Sequence, residues 1–389
     1  MWFHDGTGDA LTHARPAANI PDAMNYERIN IRKLAPYIPG EQPDDASVVK
    51  LNTNENPYPP AKQVIDAIGS IDAEQLRRYP NATAQSFRTV AATAHDVSPD
   101  QIIATNGGDE LLRLAATVFC NPRVGDNETG GIGVGEPGYE LYPVIAAIQD
   151  TPLRRIDLTN AFALPDDFED QVVAGGCRLV IVTNPHAPSG RLEPLERLSA
   201  LAQKLRGHAV LLIDEAYVDF SARDALPLVR GPDGLDNVLL LRSLSKGYSL
   251  AGLRFGYGLG HERLIEMLHR ARDSYNTNTL SQVAATYALR HRNAAVQTWR
   301  AVIGQRRRLS DELTDRGFAV LPSETNFVLV TPPAAAHGLQ AARLVQKLKQ
   351  MGVYVRYFDR ERLRDKIRIT IGSPEQNEAL LKAVDELMD

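Results

Sequence analysis

Val210-Leu211-Leu212-Ile213 is an unbroken apolar run that ends on an acid, Asp214. With no polar residue on either face, such a run is a strand only where helices cover both sides of the sheet, as they do around parallel strands. A second run, Val238 to Leu241, leads into Arg242-Ser243-Leu244-Ser245-Lys246-Gly247-Tyr248. Strand-like stretches at 101–105, 131–134 and 178–183 alternate with helical spacing at 61–68, 84–95 and 110–119. That alternation predicts an α/β chain whose mostly parallel sheet is wrapped by helices. In open sheets of this class ligands bind beyond the carboxyl ends of the strands, which is where Asp214 and the Ser243–Lys246 turn fall.

The second turn combines an amine with the means to hold an anion. Ser243, Ser245 and Arg254 offer hydrogen-bond donors to a phosphate, Arg254 in the forked, charge-assisted form, and Lys246 is spaced to sit over whatever carries that phosphate. A lysine held this way can form a Schiff base. The plain alternative is a surface strand-to-loop turn with a solvated lysine. Asp214 weighs against it: a carboxylate on the pyridine nitrogen of pyridoxal phosphate (PLP) keeps that nitrogen protonated, so the cofactor works as an electron sink. Tyr217, on the following turn, is placed to reach the cofactor's phenolic oxygen. Asn106-Gly107-Gly108-Asp109 is a glycine turn opening a helix, and its free N–H groups and helix dipole make an anion site. Many such joints carry glycine for steric reasons alone.

Composition fits a large enzyme. The chain has 389 residues, 43% of them hydrophobic, enough for a sizeable core, and a net charge of −5 that gives no basic field for nucleic acid or an anionic membrane. Any anionic ligand must therefore be met by local arginines. Cys120 and Cys177 lie in apolar surroundings without metal-ligand spacing, so they read as core residues of a protein in a reducing compartment. No metal is expected. Residues 1–28 read as a loose leader without an apolar signal region, and no run approaches the roughly 20 apolar residues that span a bilayer, so a cytoplasmic protein is expected.

Beyond Tyr257 the pattern changes to one long helical stretch at 280–316, short strands at 318–321, 327–330, 353–357 and 367–371, and helices at 339–351 and from Pro374. This reads as a smaller α+β domain. The expected division is a large PLP-binding domain at 51–285 and a small domain at 286–389, joined by a segment at 29–50. Within the first half, Leu51-Asn52-Thr53-Asn54-Glu55-Asn56-Pro57-Tyr58-Pro59-Pro60 is both polar and stiffened by proline, as a loop lining a site would be. Tyr37 sits in a turn-rich segment that on composition alone is an ordinary loop with a packed aromatic, and Tyr79 reads as an exposed aromatic in a turn.

Taken together these segments resemble the histidinol-phosphate aminotransferases, a branch of the fold type I PLP-dependent aminotransferases, from about residue 29 to the C-terminus. The resemblance is carried by Leu34 to Gly40, Leu51 to Pro59, Arg78 to Asn81, Asn106 to Glu110, Pro137 to Tyr142, Asp214 to Tyr217, Ser243 to Tyr257, Ser323 to Phe327, Val355-Arg356 and Ile367 to Gly372. It implies that Lys246 forms the Schiff base, Asp214 pairs with the ring nitrogen, Tyr217 bonds the phenolic oxygen and Tyr139 stacks on the ring. It further implies a phosphate cup of Gly108 and Asp109 N–H groups, Ser243, Ser245 and Arg254, completed by Tyr79 from the other subunit of a homodimer. Tyr37, Asn54, Asn326, Arg356 and Arg368 are implied on the substrate, the two arginines and Tyr37 suiting a phosphate dianion. By periodicity alone Arg356 and Arg368 would be solvent-facing strand residues. The implied reaction moves an amino group from L-histidinol phosphate to 2-oxoglutarate; an aromatic amino acid aminotransferase and a PLP-dependent decarboxylase of a phosphorylated amino acid share the same cofactor residues.

One segment departs from the family pattern. Asn184-Pro185-His186-Ala187-Pro188-Ser189-Gly190 carries Ala187 where the family has an asparagine that donates to the phenolic oxygen. Loss of that hydrogen bond is expected to change the pH at which the imine protonates, unless His186 or Asn184 compensates. Gly108 and Gly247 stand where the family often has serine and alanine.

Overall fold

The computed structural model describes residues 26–34, 40–45, 47–125, 130–231, 233–333 and 341–388. In chain order its strands are β1 (Val49–Lys50), β2 (Ile102–Thr105), β3 (Ile132–Glu136), β4 (Leu153–Asp157), β5 (Leu179–Thr183), β6 (Val210–Asp214) and β7 (Val238–Ser243). After these come β8 (Gly256–Gly260), β9 (Ala319–Val320), β10 (Phe327–Thr331), β11 (Val353–Tyr354), β12 (Arg356–Tyr357) and β13 (Ile367–Thr370). Seven of them form the main sheet, in the order β2-β8-β7-β6-β5-β3-β4, with every neighbour pair parallel except the two that involve β8.

The apolar runs behave as their composition requires. Val180, Val182, Leu211, Ile213, Val238 and Leu240 point into one hydrophobic cluster, whereas Leu179, Ile181, Val210, Leu212, Leu239 and Leu241 point into another across the sheet. Helix Gly108–Phe119 packs on the second face with Leu111, Leu112 and Ala115, and helix Leu195–Leu205 on the first with Leu198, Leu201 and Leu205. Both faces being dry explains why these strands show no alternation. Cys120 and Cys177 are buried in the two clusters, where burial pushes their thiols up to about 12 and about 11.

A smaller antiparallel sheet, β12-β13-β10-β9, carries the C-terminal part, and a two-stranded sheet joins β1 to β11 in parallel, Val49 opposite Val353. The segment at 29–50 therefore divides. Its end joins the small unit, but Asn30 and Arg28 donate to the carbonyls of Ala147 and Ile148 at 2.7 and 2.6 Å, against helix Leu141–Gln149 of the large one.

Several elements differ from expectation. The stretch at 280–316 is two helices, Thr279–Arg290 and Arg292–Asp315, broken at His291, where ψ is 29°. Their apolar stripes serve different partners: Ala284, Ala285 and Ala288 face the helices Lys62–Gly69 and Gln85–His95, whereas the second helix meets β9, β10 and helix Pro374–Met388. The expected boundary at 285–286 consequently falls inside a helix. The stretch at 353–357 is two strands in two sheets. Strands β4 and β8 carry no strand signal in the sequence, because β4 exposes Arg154 and Arg155 and β8 is Gly-Tyr-Gly-Leu-Gly. No helix of the described residues is long and apolar enough to cross a membrane.

Candidate active site

Gly108, Asp109, Tyr139, Asp214, Tyr217, Ser243, Ser245, Lys246, Arg254, Arg356, Arg368 and Asn54 line one cavity of about 290 Å³. It lies past the carboxyl ends of β5, β6 and β7, at the junction with the small sheet.

Asp214 closes β6 and is 5% exposed. The Tyr142 hydroxyl donates to its Oδ2 at 2.9 Å, and the Ala216 N–H donates to Oδ1 at 3.1 Å. Tyr142 is itself 2.6 Å from the Thr183 hydroxyl. Burial dominates and pushes the Asp214 carboxyl up to about 6 in the protein alone, so the site holds an acid in want of a cation. A pyridinium N–H meets that want.

The opposite end gathers hydrogen-bond donors suited to an anion. Helix Gly108–Phe119 starts at a cap residue, Gly107, with φ of 81°, a backbone that strains any other residue. A Cβ there would also approach Arg254 Nη2 to 2.9 Å, so the glycine leaves room for the guanidinium beside the helix start. Arg254 reaches Asp109 Oδ2 at 3.4 Å and Ser245 Oγ at 3.5 Å. Helix N–H groups, two serines and an arginine form an anion cup.

Lys246 stands between these ends. Its Nζ donates to the Thr53 carbonyl at 3.2 Å and lies 6.0 Å from the Tyr217 ring centre. Burial first, then the charges of Arg368 and Arg254, bring its pKa down to about 8, against the pull of Glu55. A lysine so depressed is neutral in roughly a tenth of molecules at pH 7, far more than an ordinary lysine, and both nucleophilic attack and proton abstraction need that form. A Cβ at Gly247 would come within 2.1 Å of Asp219 Oδ2, which explains glycine rather than alanine after the lysine.

Tyr217 packs edge-on against Phe327 at 5.1 Å, and its hydroxyl accepts from Asn54 Nδ2 at 3.0 Å. Asn54 is held in turn by Thr370, whose hydroxyl donates to Asn54 Oδ1 at 3.1 Å and accepts the Asn54 N–H at 3.0 Å. Asn326 is fully buried and does not line the cavity; its Nδ2 donates to the Asn54 carbonyl at 2.8 Å, so it acts on the site only through that loop. Arg356 and Arg368 are direct cross-strand partners in β12 and β13, both within 5.3 Å of the Phe358 ring. Arg368 also donates to the Asn52 carbonyl at 3.2 Å.

Besides Asn326, one described residue is not brought together with the rest. Tyr79 is 81% exposed and stacks on Tyr275 at 4.6 Å, outside this chain's cavity. Tyr37 lies outside the described residues. Ala187 does line the cavity, but His186 spends Nδ1 on Ser189 Oγ at 2.7 Å and Nε2 on the Pro137 carbonyl at 2.9 Å. Asn184 accepts the Glu193 N–H at 2.8 Å, and neither it nor His186 lines the cavity, so no side chain of that loop stands in for the missing asparagine. Tyr142, Thr53, Thr370, Glu140 and Arg360 are site residues that sequence reasoning missed. Thr53, Glu140, Tyr142 and Thr370 each fall inside a segment that carries the resemblance, whereas Arg360 had no such signal.

A buried acid at one end, a lysine between and an anion cup at the other match PLP in charge and hydrogen bonding. The model of the family described as "Aminotransferase class I and II" matches residues 46–384. The chain belongs to that family. As a class I and II aminotransferase it is a PLP-dependent enzyme with a fold type I architecture. It is 39% identical over 369 residues to histidinol-phosphate aminotransferase 1 of Nostoc sp., spanning 94% of this chain and 99% of that one. It is 38% identical over 357 residues to the histidinol-phosphate aminotransferase of Pseudomonas entomophila, spanning 91% and 98%. Among solved structures, the histidinol-phosphate aminotransferase of Sinorhizobium meliloti in complex with pyridoxal-5'-phosphate is similar to this aminotransferase with a TM-score of 0.82 and 25% identity, covering 94% of this chain and 98% of that one.

Proposed function

We propose that the protein transfers the amino group of L-histidinol phosphate to 2-oxoglutarate, a step of histidine biosynthesis, in the cytoplasm. The observation that carries this reading is the pairing of Arg356 with Arg368 as cross-strand neighbours on the wall of the Lys246 cavity. Like charges directly opposite each other cost stability unless an anion lies between them, and a phosphate dianion matches two guanidinium groups better than one carboxylate does. The names and extent of the relatives support the same substrate.

Bound PLP supplies an electron sink for the pair released at the substrate's Cα. The chain supplies the rest. Asp214 holds the pyridine nitrogen's proton, with Tyr142 fixing the carboxylate. Tyr139 covers the ring, and the helix start, Ser243, Ser245 and Arg254 anchor the phosphate. Lys246 Nζ would take the proton from the substrate's Cα, and Arg356 and Arg368 would hold the substrate's anionic arm so that this proton faces the lysine.

Truncation of one arginine leaves a desolvated dianion with half its partners, so Arg356→Ala is expected to cost on the order of 2–5 kcal/mol in kcat/KM for histidinol phosphate. For phenylalanine, whose single carboxylate needs only Arg368, the same change should be small, while Arg368→Ala damages both donors. Steady-state kinetics with the two donors decides it; equal, small effects of Arg356→Ala favour an aromatic aminotransferase instead.

The reading includes a homodimer with a large cofactor-binding domain and a smaller α+β domain in each subunit, Tyr79 of one subunit touching the other's cofactor phosphate. Its exposure and its distance in sequence from Lys246 support that assignment. Mixed Tyr79→Phe and Lys246→Ala chains should regain part of the activity that neither shows fully alone, once subunits exchange. A fully active monomer in sedimentation equilibrium overturns the shared site.

A further inference from the structure

A ping-pong aminotransferase must read two different side arms in one cavity. On the proposed function, on which this inference rests, the donor brings an imidazole ring with N–H donors and the acceptor a distal carboxylate, while the phosphate or the α-carboxylate goes to Arg356 and Arg368. A wall that serves both arms has to present an acceptor and a cation together.

One ion pair in the cavity does so. Glu140 and Arg360 both line it, and Arg360 Nε lies 3.0 Å from Glu140 Oε1. Glu140 follows Tyr139, the residue assigned to cover the cofactor ring, and Arg360 lies two residues beyond Phe358, against which Arg356 and Arg368 pack. The pair therefore sits between the cofactor's face and the anion-binding strands. Arg360 also approaches Glu136 Oε1 at 3.5 Å, so its charge stays balanced if Glu140 turns elsewhere. Among the described residues, Glu140 Oε2 and Arg360 Nη2 make no hydrogen bond. Each partner thus keeps a hydrogen-bonding atom to offer. The same two side chains line a neighbouring cavity of about 870 Å³, which gives the Arg360 side chain room to withdraw when a ring needs the space.

We propose that the Glu140–Arg360 pair determines specificity for both half-reactions, Glu140 accepting the imidazole N–H of the amino donor and Arg360 binding the distal carboxylate of the 2-oxo acid acceptor. Neither group takes part in proton transfer. A purely structural latch between Arg360 and the 136–140 segment would affect both half-reactions alike, so the two roles separate experimentally.

The test measures each half-reaction by single turnover of the cofactor-loaded protein, following its visible absorbance. Glu140→Gln is expected to lower the second-order rate constant for histidinol phosphate about 10- to 100-fold, and to leave that for 2-oxoglutarate within about threefold. Arg360→Met is expected to do the reverse, slowing 2-oxoglutarate by about the same factor but not pyruvate, which lacks the distal carboxylate, with Arg360→Lys restoring part of the loss. Equal slowing of both half-reactions by either variant, or no slowing, overturns the proposal. A parent protein that leaves histidinol phosphate unconverted overturns the functional reading and the Glu140 arm with it, and the comparison of 2-oxoglutarate with pyruvate still decides Arg360.

Discussion

Lys246→Ala is expected to lower turnover by about 10⁴-fold or more, because on the proposed function it removes the covalent anchor and the general base together. Cofactor binding should survive it. The anion cup of helix N–H groups, Ser243, Ser245 and Arg254 does not include the lysine, nor does Asp214, so the variant is expected to bind PLP without a covalent bond. Borohydride treatment of the parent followed by peptide mapping should place the reduced adduct on Lys246; a label on another lysine overturns the assignment. The pH dependence follows from the environment. Burial and nearby arginines bring Lys246 down to about 8, so its neutral, proton-accepting form predominates above that value and is lost as pH falls below it. Covalent capture of PLP by the cofactor-free protein, which needs the neutral amine, is therefore expected to slow as pH falls below about 8, and mixing experiments that follow the absorbance of the imine check it.

How far the site could be read from sequence depended on whether a residue's role is local. Asp214, Ser243, Ser245 and Lys246 sit at or just past two strand ends, where an apolar run locates the strand and the residues after it locate the site, and Arg254 lies just before β8. Their convergence follows from adjacent parallel strands, β6 and β7, ending at the same edge. The substrate side has no such shortcut. Arg356 and Arg368 meet because β12 pairs with β13 in one register, which nothing in the local sequence displays. Asn326 resembled a substrate residue by motif, yet the small sheet buries it behind Asn54. Glu140 and Arg360 lie far apart in the chain and pair only where the small sheet meets the large one. The central sheet was legible for a related reason: its buried strands are apolar throughout, whereas edge strand β4 and glycine-rich β8 lack that signature. The bend at His291 escaped notice because both flanking segments are helical, and only their different packing partners separate them.

Asp214→Asn is expected to pull stability and activity in opposite directions. In the protein without cofactor, burial holds the Asp214 carboxyl up to about 6 against an ordinary 3.8. The folded state therefore binds the proton more tightly than the unfolded chain, so the cost of burying the charge is absent below pH 3.8, grows as pH rises toward about 6, and is fully present above. A shift of about two pH units corresponds to roughly 3 kcal/mol. An asparagine fits the same space, accepts the Ala216 N–H and carries no charge, so the cofactor-free variant should melt higher than the parent at pH 8, with the difference vanishing near pH 4. Loaded with PLP the order changes, because the pyridinium N–H now pairs with the parent's carboxylate and finds only a neutral amide in the variant. Losing that charge partner should cost about 10²- to 10³-fold in turnover, the scale expected when one preorganised electrostatic group is removed from a reacting centre. Thermal melts at the two pH values, with and without cofactor, together with single-turnover rates, check both halves. Full activity in the variant overturns the ring-nitrogen role, whereas a cofactor-free variant less stable than the parent at pH 8 overturns the burial argument alone.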